Sequence, residues 1–201
     1  MMPIPVHCAV EDKLSEAILL RCFSECGLTH ATTLSRGGFG YLKKIAPALN
    51  LSAQGMPYVM LTDLDDGPCA PELIANWMNG QMRHPHFLLR VAVREVEAWL
   101  LADTANFSQF LGISANLLPE DCEMLPDPKL ELLKAARRSR HRKIREDLVT
   151  QEAHGPVQGP DYNGALAKFV AENWDLSEAA GRCPSLQKLM IRLRELEQTL
   201  R

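Results

Sequence analysis

Over its first hundred or so residues the chain alternates short apolar runs with stretches in which apolar positions recur at helical spacing. Residues 5–10 alternate and then run apolar up to Glu11-Asp12, after which Leu14, Ala17, Ile18 and Leu20 follow at helical spacing as far as Gly27. That pattern predicts strand, turn, helix. Residues 29–34, rich in Thr and apolar side chains, predict a second strand ahead of Arg36-Gly37-Gly38-Phe39-Gly40. From Tyr41 a helix would carry Leu42, Ile45, Ala46 and Leu49 on one side. Residues 57–62 form a continuous apolar run closed by Asp63, the pattern of a strand buried on both faces of a parallel sheet. A helix over 71–82 with Pro71 in its first turn, a strand over 87–93 and a helix over 95–102 continue the alternation.

Strands alternating with helices in this order predict an α/β fold, a mostly parallel, doubly wound sheet flanked by helices. Beyond residue 104 the strand signals stop. Residues 107–112, 128–139, 162–174 and 185–200 predict helices, separated by loops at Pro126, Pro128, Gly155, Pro156, Gly159, Pro160 and Pro184. The expected organisation is an α/β domain over residues 1–104 and a helical C-terminal region over 105–201 packed on it.

Composition narrows the classes. With 201 residues and 46% apolar content the chain can bury a sizeable core. A formal charge of -3 argues against a protein that coats nucleic acid by bulk charge, so any such surface must be local. No basic start precedes the short apolar N-terminus, and no run approaches the length of a membrane helix, so a cytoplasmic protein with no membrane partner is expected. The six cysteines, at 8, 22, 26, 69, 122 and 183, include no Cys-x-x-Cys and read as reduced thiols. Cys22 and Cys26, four apart on a helix, share a face and could meet a metal, although a small core residue is the commoner use of Cys.

The candidate chemistry lies at strand ends, where open α/β sheets bind ligands. Three expected strands end in acids: Glu11, the run Asp63-Leu64-Asp65-Asp66, and Glu95-Val96-Glu97. Clustered carboxylates repel one another unless a cation lies among them, and hard oxygen ligands suit Mg2+ or Mn2+. Glu11, Asp63, Asp65 and Glu97 are therefore the candidate metal ligands, with Glu11 also a candidate general base. If the strand continues, Asp63 and Asp65 lie on one side of it. The competing reading is helix capping, open to Asp12, Asp66 and Glu95 in particular. Such a metal would stabilise charge on a phosphate and activate water, the requirements of phosphodiester cleavage.

Two further elements could bind phosphate. The glycines at 37, 38 and 40 could leave backbone N–H groups free, with Lys43 nearby; a plain strand-to-helix turn is the alternative. Between Lys134 and Arg145 seven basic residues occur with no acid, among them Arg138, Arg140, Arg142 and Lys143. This run could track a nucleic-acid backbone, or it could be a solvated face paired with Glu131, Glu146 and Asp147. Lys129 is a candidate for stabilising charge on a phosphate at the metal site. Trp77, Trp99 and Trp174 read as core residues.

A strand ending in Glu11, a later strand ending in Asp63-x-Asp65 and a further acid resemble the TOPRIM domain of topoisomerases, primases and nucleases of overcoming-lysogenisation-defect type. Asp12 stands where that motif usually has Gly. The segments Gly37-Gly38-Phe39-Gly40-Tyr41-Leu42-Lys43-Lys44, Glu97-Ala98-Trp99-Leu100-Leu101-Ala102-Asp103, Asp127-Pro128-Lys129, Gly159-Pro160-Asp161-Tyr162 and Cys183-Pro184-Ser185-Leu186 are similar to a bacterial family of uncharacterised TOPRIM-like proteins. The resemblance implies a TOPRIM-like fold and metal-dependent nucleic-acid chemistry, with a link to ATPase partners in phage-defence or mobile-element loci. The expected function is thus an Mg2+-dependent nuclease acting on DNA or RNA. The alternatives are a non-catalytic nucleic-acid-binding or regulatory partner of an ATPase, and a phosphohydrolase acting on nucleotides.

Overall fold

The computed structural model describes residues 4–201, which divide into two compact units: one comprises residues up to Val93 together with Gln187–Arg201, the other Arg94–Leu186. In the first unit the chain runs β1 (Val6–Ala9), α1 (Lys13–Cys26), β2 (His30–Leu34), α2 (Gly38–Ser52), β3 (Tyr58–Asp63), α3 (Ala70–Met78) and β4 (Phe87–Ala92). The strands form one all-parallel sheet in the order β2-β1-β3-β4. The α/β class expected from the alternation of patterns is the one observed.

That order places a reversal at β1. The chain leaves β1 for β2 on one side, then crosses back and continues through β3 and β4 on the other. Right-handed crossovers that advance in opposite directions put their helices on opposite faces of a sheet. α2 and α3 accordingly share a face and pack on each other. Their apolar positions Leu42, Ala46, Leu49, Leu73 and Trp77 close over Tyr58, Met60, Phe87, Leu89 and Val91 of β3 and β4. β3 is buried along its length up to Asp63, as its unbroken apolar run requires. β2, at one edge, is short and largely solvated.

The local signals act as expected at α1. The Asp12 carboxylate caps it by accepting from Ser15 N–H at 2.8 Å, and Gly27, at φ +70°, ends it. α2 begins three residues before the expected start. Gly37, at φ +82°, is its cap, and Gly38, Phe39 and Gly40 form its first turn, so the glycine segment is helix and not an open loop.

The second unit contains α4 (Glu97–Ala102), α5 (Thr104–Leu111), α6 (Pro128–Arg137), α7 (Arg142–Leu148), β5 (Val149–Glu152), β6 (Gly155–Gln158), α8 (Tyr162–Glu172) and α9 (Leu176–Arg182). The last helix, α10 (Pro184–Leu200), starts in this unit and supplies Gln187–Arg201 to the first. Trp99, Phe107, Leu132, Leu166 and Phe169 are core residues of the second unit. Trp99 also donates from Nε1 to Ser185 Oγ at 2.8 Å, so all three tryptophans are buried as expected and this one is anchored as well.

The region beyond residue 104 is not wholly helical. β5 and β6 pair as an antiparallel hairpin, and α7 and α9 are additional short helices. The hairpin escapes the apolar pattern because its strands are four residues each and carry no alternation of apolar side chains, β5 being mainly exposed and β6 only partly buried. Among the described residues, no helix is long and apolar enough to cross a membrane.

Candidate functional site

The reversal of strand order marks the carboxyl ends of β1 and β3 as the topological switch point, the place where open parallel sheets form their ligand-binding crevice. Two of the sequence candidates meet there. Glu11 follows β1 by one residue beyond Val10, and its Oε1 accepts from Thr62 Oγ1 at 2.5 Å and from Asp63 N–H at 3.2 Å. Thr62 and Asp63 are the last residues of β3. The carboxylate of one strand end is thus held by the hydroxyl and amide of the next. Both bonds fall on Oε1, and Oε2 takes no hydrogen bond from the described residues.

The sequence pattern contained a signal for Thr62, a polar residue immediately before the terminal Asp of an otherwise apolar strand. β3 stops at Asp63, and Asp65 sits in a turn at φ +48°, so the two aspartates are not aligned on one side of an extended strand. Asp65 and Asp66 are exposed and line, with Lys43, Phe39 and Trp77, an adjacent groove of ≈ 330 Å³. Lys43, expected near a phosphate, therefore shares a groove with Asp65. Gly67, in the same loop, makes a close turn in which an added Cβ would meet Leu64 O at 2.8 Å.

Glu97 and Lys129 belong to the second unit. Glu97 is 2% exposed at the start of α4, and its Oε1 accepts from Tyr162 Oη of α8 at 2.9 Å. Lys129 Nζ of α6 lies 3.7 Å from the same oxygen and 3.2 Å from Glu95 Oε1. Glu97 Oε2 is buried without a hydrogen-bond partner. Burial disfavours the charged form and pushes the Glu97 carboxyl up to about 7, even though the Lys129 ammonium and the Tyr162 hydroxyl act in the opposite direction. Glu95 caps a helix, but not its own: Oε2 accepts from Lys129 N–H at 2.8 Å in the first turn of α6, where Asp127 also accepts from Leu130 N–H at 2.7 Å. Glu95, Asp127 and Lys129 line a cleft of ≈ 450 Å³ that the hairpin residues Pro156, Val157 and Gln158 complete. Tyr162 was visible in the sequence only as part of a similar segment, with nothing to mark it as a partner of Glu97.

The basic run divides into two parts. Lys134 pairs with Glu131, Arg142 with Glu146 and Lys143 with Asp147, all within a helical turn, and Arg145 Nη1 donates to Ser139 O at 2.6 Å. The hydrogen bond from Arg142 holds the Glu146 carboxyl below its ordinary range. Arg137, Arg138 and Arg140 are exposed and make no side-chain hydrogen bond or ion pair with the described residues. Cys22 is buried and Cys26 partly so; burial pushes the thiols of both up, away from the thiolate that a metal requires.

Among the described residues, no three His, Cys, Asp or Glu side chains are grouped so as to hold a metal ion. No protein-family model, curated protein or solved structure matches this chain.

Proposed function

We propose that this chain is a metal-dependent nuclease of TOPRIM-like type whose site is the crevice between β1 and β3. The observation that carries the reading is the meeting of Glu11 with the end of β3 at the point where strand order reverses. Mg2+ is commonly held by one or two carboxylates, with water and substrate phosphate oxygens completing its shell, so an all-protein cage is not required. Glu11 and Asp63 supply that number, with Asp65 in the adjoining turn. When bound, the metal would lower the pKa of an attacking water and stabilise charge on the phosphate.

The residues of the chain have separable tasks in this reading. Thr62 and the Asp63 amide fix Glu11 Oε1, which leaves Oε2 to face the ligand or to accept a proton from water. Lys43, at the adjoining groove, attracts the substrate phosphate. Arg137, Arg138 and Arg140 supply unpaired positive charge for a nucleic-acid backbone. Glu97 is left out of the metal set, because a carboxyl that keeps its proton up to about pH 7 and is engaged by Tyr162 is a poor cation ligand. Glu97 and Lys129 instead tie α4, α6 and α8 together.

The test is incubation of the purified chain with plasmid, single-stranded DNA and RNA in Mg2+, Mn2+ or EDTA. Cleavage should require metal, and Asp63→Asn or Glu11→Gln should lower it by more than about a hundredfold, beyond the loss typical of residues that merely support metal ligands. Circular dichroism of each variant should match the parent. Cleavage that persists in both variants, or no cleavage of any substrate, overturns the proposal. Binding without a cut would favour the non-catalytic partner of an ATPase, a reading supported by the unpaired Arg137, Arg138 and Arg140.

A further inference from the structure

Arg90 is a charged residue inside an otherwise apolar strand. β4 reads Phe87-Leu88-Leu89-Arg90-Val91-Ala92; Phe87, Leu89 and Val91 enter the core beneath α2 and α3, which turns Leu88 and Arg90 to the opposite face of the sheet. There Arg90 meets two more arginines: Arg83, from the loop before β4, and Arg192, from α10. The three line a pocket of ≈ 360 Å³ together with His84, Pro85 and Leu88.

The charges in this pocket are not balanced. Arg90 Nε is buried with no hydrogen-bond partner, and neither Arg83 nor Arg90 pairs with a carboxylate among the described residues. Among those residues the only acid paired with the group is Glu195, which takes Arg192 Nη1 at 2.6 Å on the exposed side of α10. Burial, and repulsion from Arg192 and Arg83, pull the Arg90 pKa down, as expected for a guanidinium lacking a counter-charge. A buried, unpaired donor costs free energy that a bound anion would recover.

The loop that completes the pocket is pinned. Asn50 of α2 is buried; its Nδ2 donates to Met82 O at 3.0 Å and its Oδ1 accepts from His84 N–H at 2.7 Å. His86 N–H in turn donates to His84 Nδ1 at 3.2 Å, which places the proton of a neutral His84 ring on Nε2 as a further donor. We propose that Arg83, Arg90 and Arg192, with His84, form a binding site for a phosphoryl group. Guanidinium forks match phosphate oxygens in geometry as well as charge.

The site differs from the crevice at β1 and β3. Arg83 and His84 precede β4, so they lie toward the amino ends of parallel strands, whereas Glu11 and Asp63 lie at the carboxyl ends. It can hold a phosphate without acting on it, and it does not depend on the nuclease reading. The phosphoryl group could belong to a small ester or to a polynucleotide.

Thermal melts of the full chain in inorganic phosphate, against chloride at equal ionic strength, test the site. Phosphate should raise Tm saturably by at least about 3 °C. Arg90→Gln and Arg192→Gln, each checked by circular dichroism, should remove that rise, whereas Lys168→Gln, at an exposed lysine on α8, should keep it. Calorimetric titration with adenosine monophosphate and with a single-stranded twelve-nucleotide DNA identifies the source, the affinity that falls about tenfold or more in Arg90→Gln being the one served by the pocket. A phosphate effect no larger than that of chloride, or one that survives in both arginine variants, overturns the proposal.

Discussion

Replacing Glu97 by Gln should make the second unit more stable at neutral and alkaline pH than the parent. Glu97 titrates near its ordinary value of 4.5 when the chain is unfolded and at about 7 when it is folded. Between these values the folded state binds more proton than the unfolded state, so stability falls as pH rises. The favourable contribution is fully present below pH 4.5, is lost progressively up to about pH 7, and stays lost above. A difference of about 2.5 units, at 1.36 kcal/mol per unit, amounts to about 3 kcal/mol by pH 8.

In Glu97→Gln the amide oxygen would still accept from Tyr162 Oη but the side chain could not ionise, so the slope from this residue should vanish. The variant should gain up to about 3 kcal/mol over the parent at pH 8 and little at pH 4.5. Urea melts from pH 4.5 to 8, followed by fluorescence in a Trp77→Phe background, measure this, because the remaining indoles, Trp99 and Trp174, both belong to the second unit. Equal pH slopes in Glu97→Gln and parent, or a variant destabilised at pH 8, would refute the assignment of a buried, proton-holding carboxyl.

Thr62→Val keeps the shape of the β3 end but removes the hydroxyl that Glu11 accepts from. It should cost about 1–2 kcal/mol in urea melts and lower metal-dependent cleavage, whereas unchanged cleavage would show that Glu11 needs no positioning. Arg137→Gln, Arg138→Gln and Arg140→Gln together should flatten the dependence of log K on log salt for single-stranded nucleic acid by about 2, at roughly 0.7 per charge. Arg142→Gln with Lys143→Gln should change it less, since Glu146 and Asp147 already offset those charges; an equal or larger change would contradict the division of the basic run.

The sheet was legible because burial on both faces leaves a local record: residues 57–62 and 87–93 are runs of strand length, apolar but for Thr62 and Arg90, and an acid terminates the first. The helix start at Asp12 was legible because a cap is specified within a few residues. Partnerships across the chain leave no such record. Nothing in the order of residues pairs Glu97 with Tyr162, or assigns Glu95 to the first turn of α6, because these contacts depend on how helices pack. The hairpin β5–β6 left no signal because its four-residue strands carry no apolar alternation, and the role of Arg90 was hidden by the apolar residues on either side of it.

The edge position of β2 has a consequence for self-association. A terminal strand offers unpaired backbone groups to any neighbouring chain. β2 is only five residues long, its Thr32 is engaged by His7 at 2.7 Å and its Thr33 by His30 at 2.9 Å. An incoming strand would find a brief polar ledge with little grease to cover, so lateral growth of the sheet into fibrils is discouraged at this border.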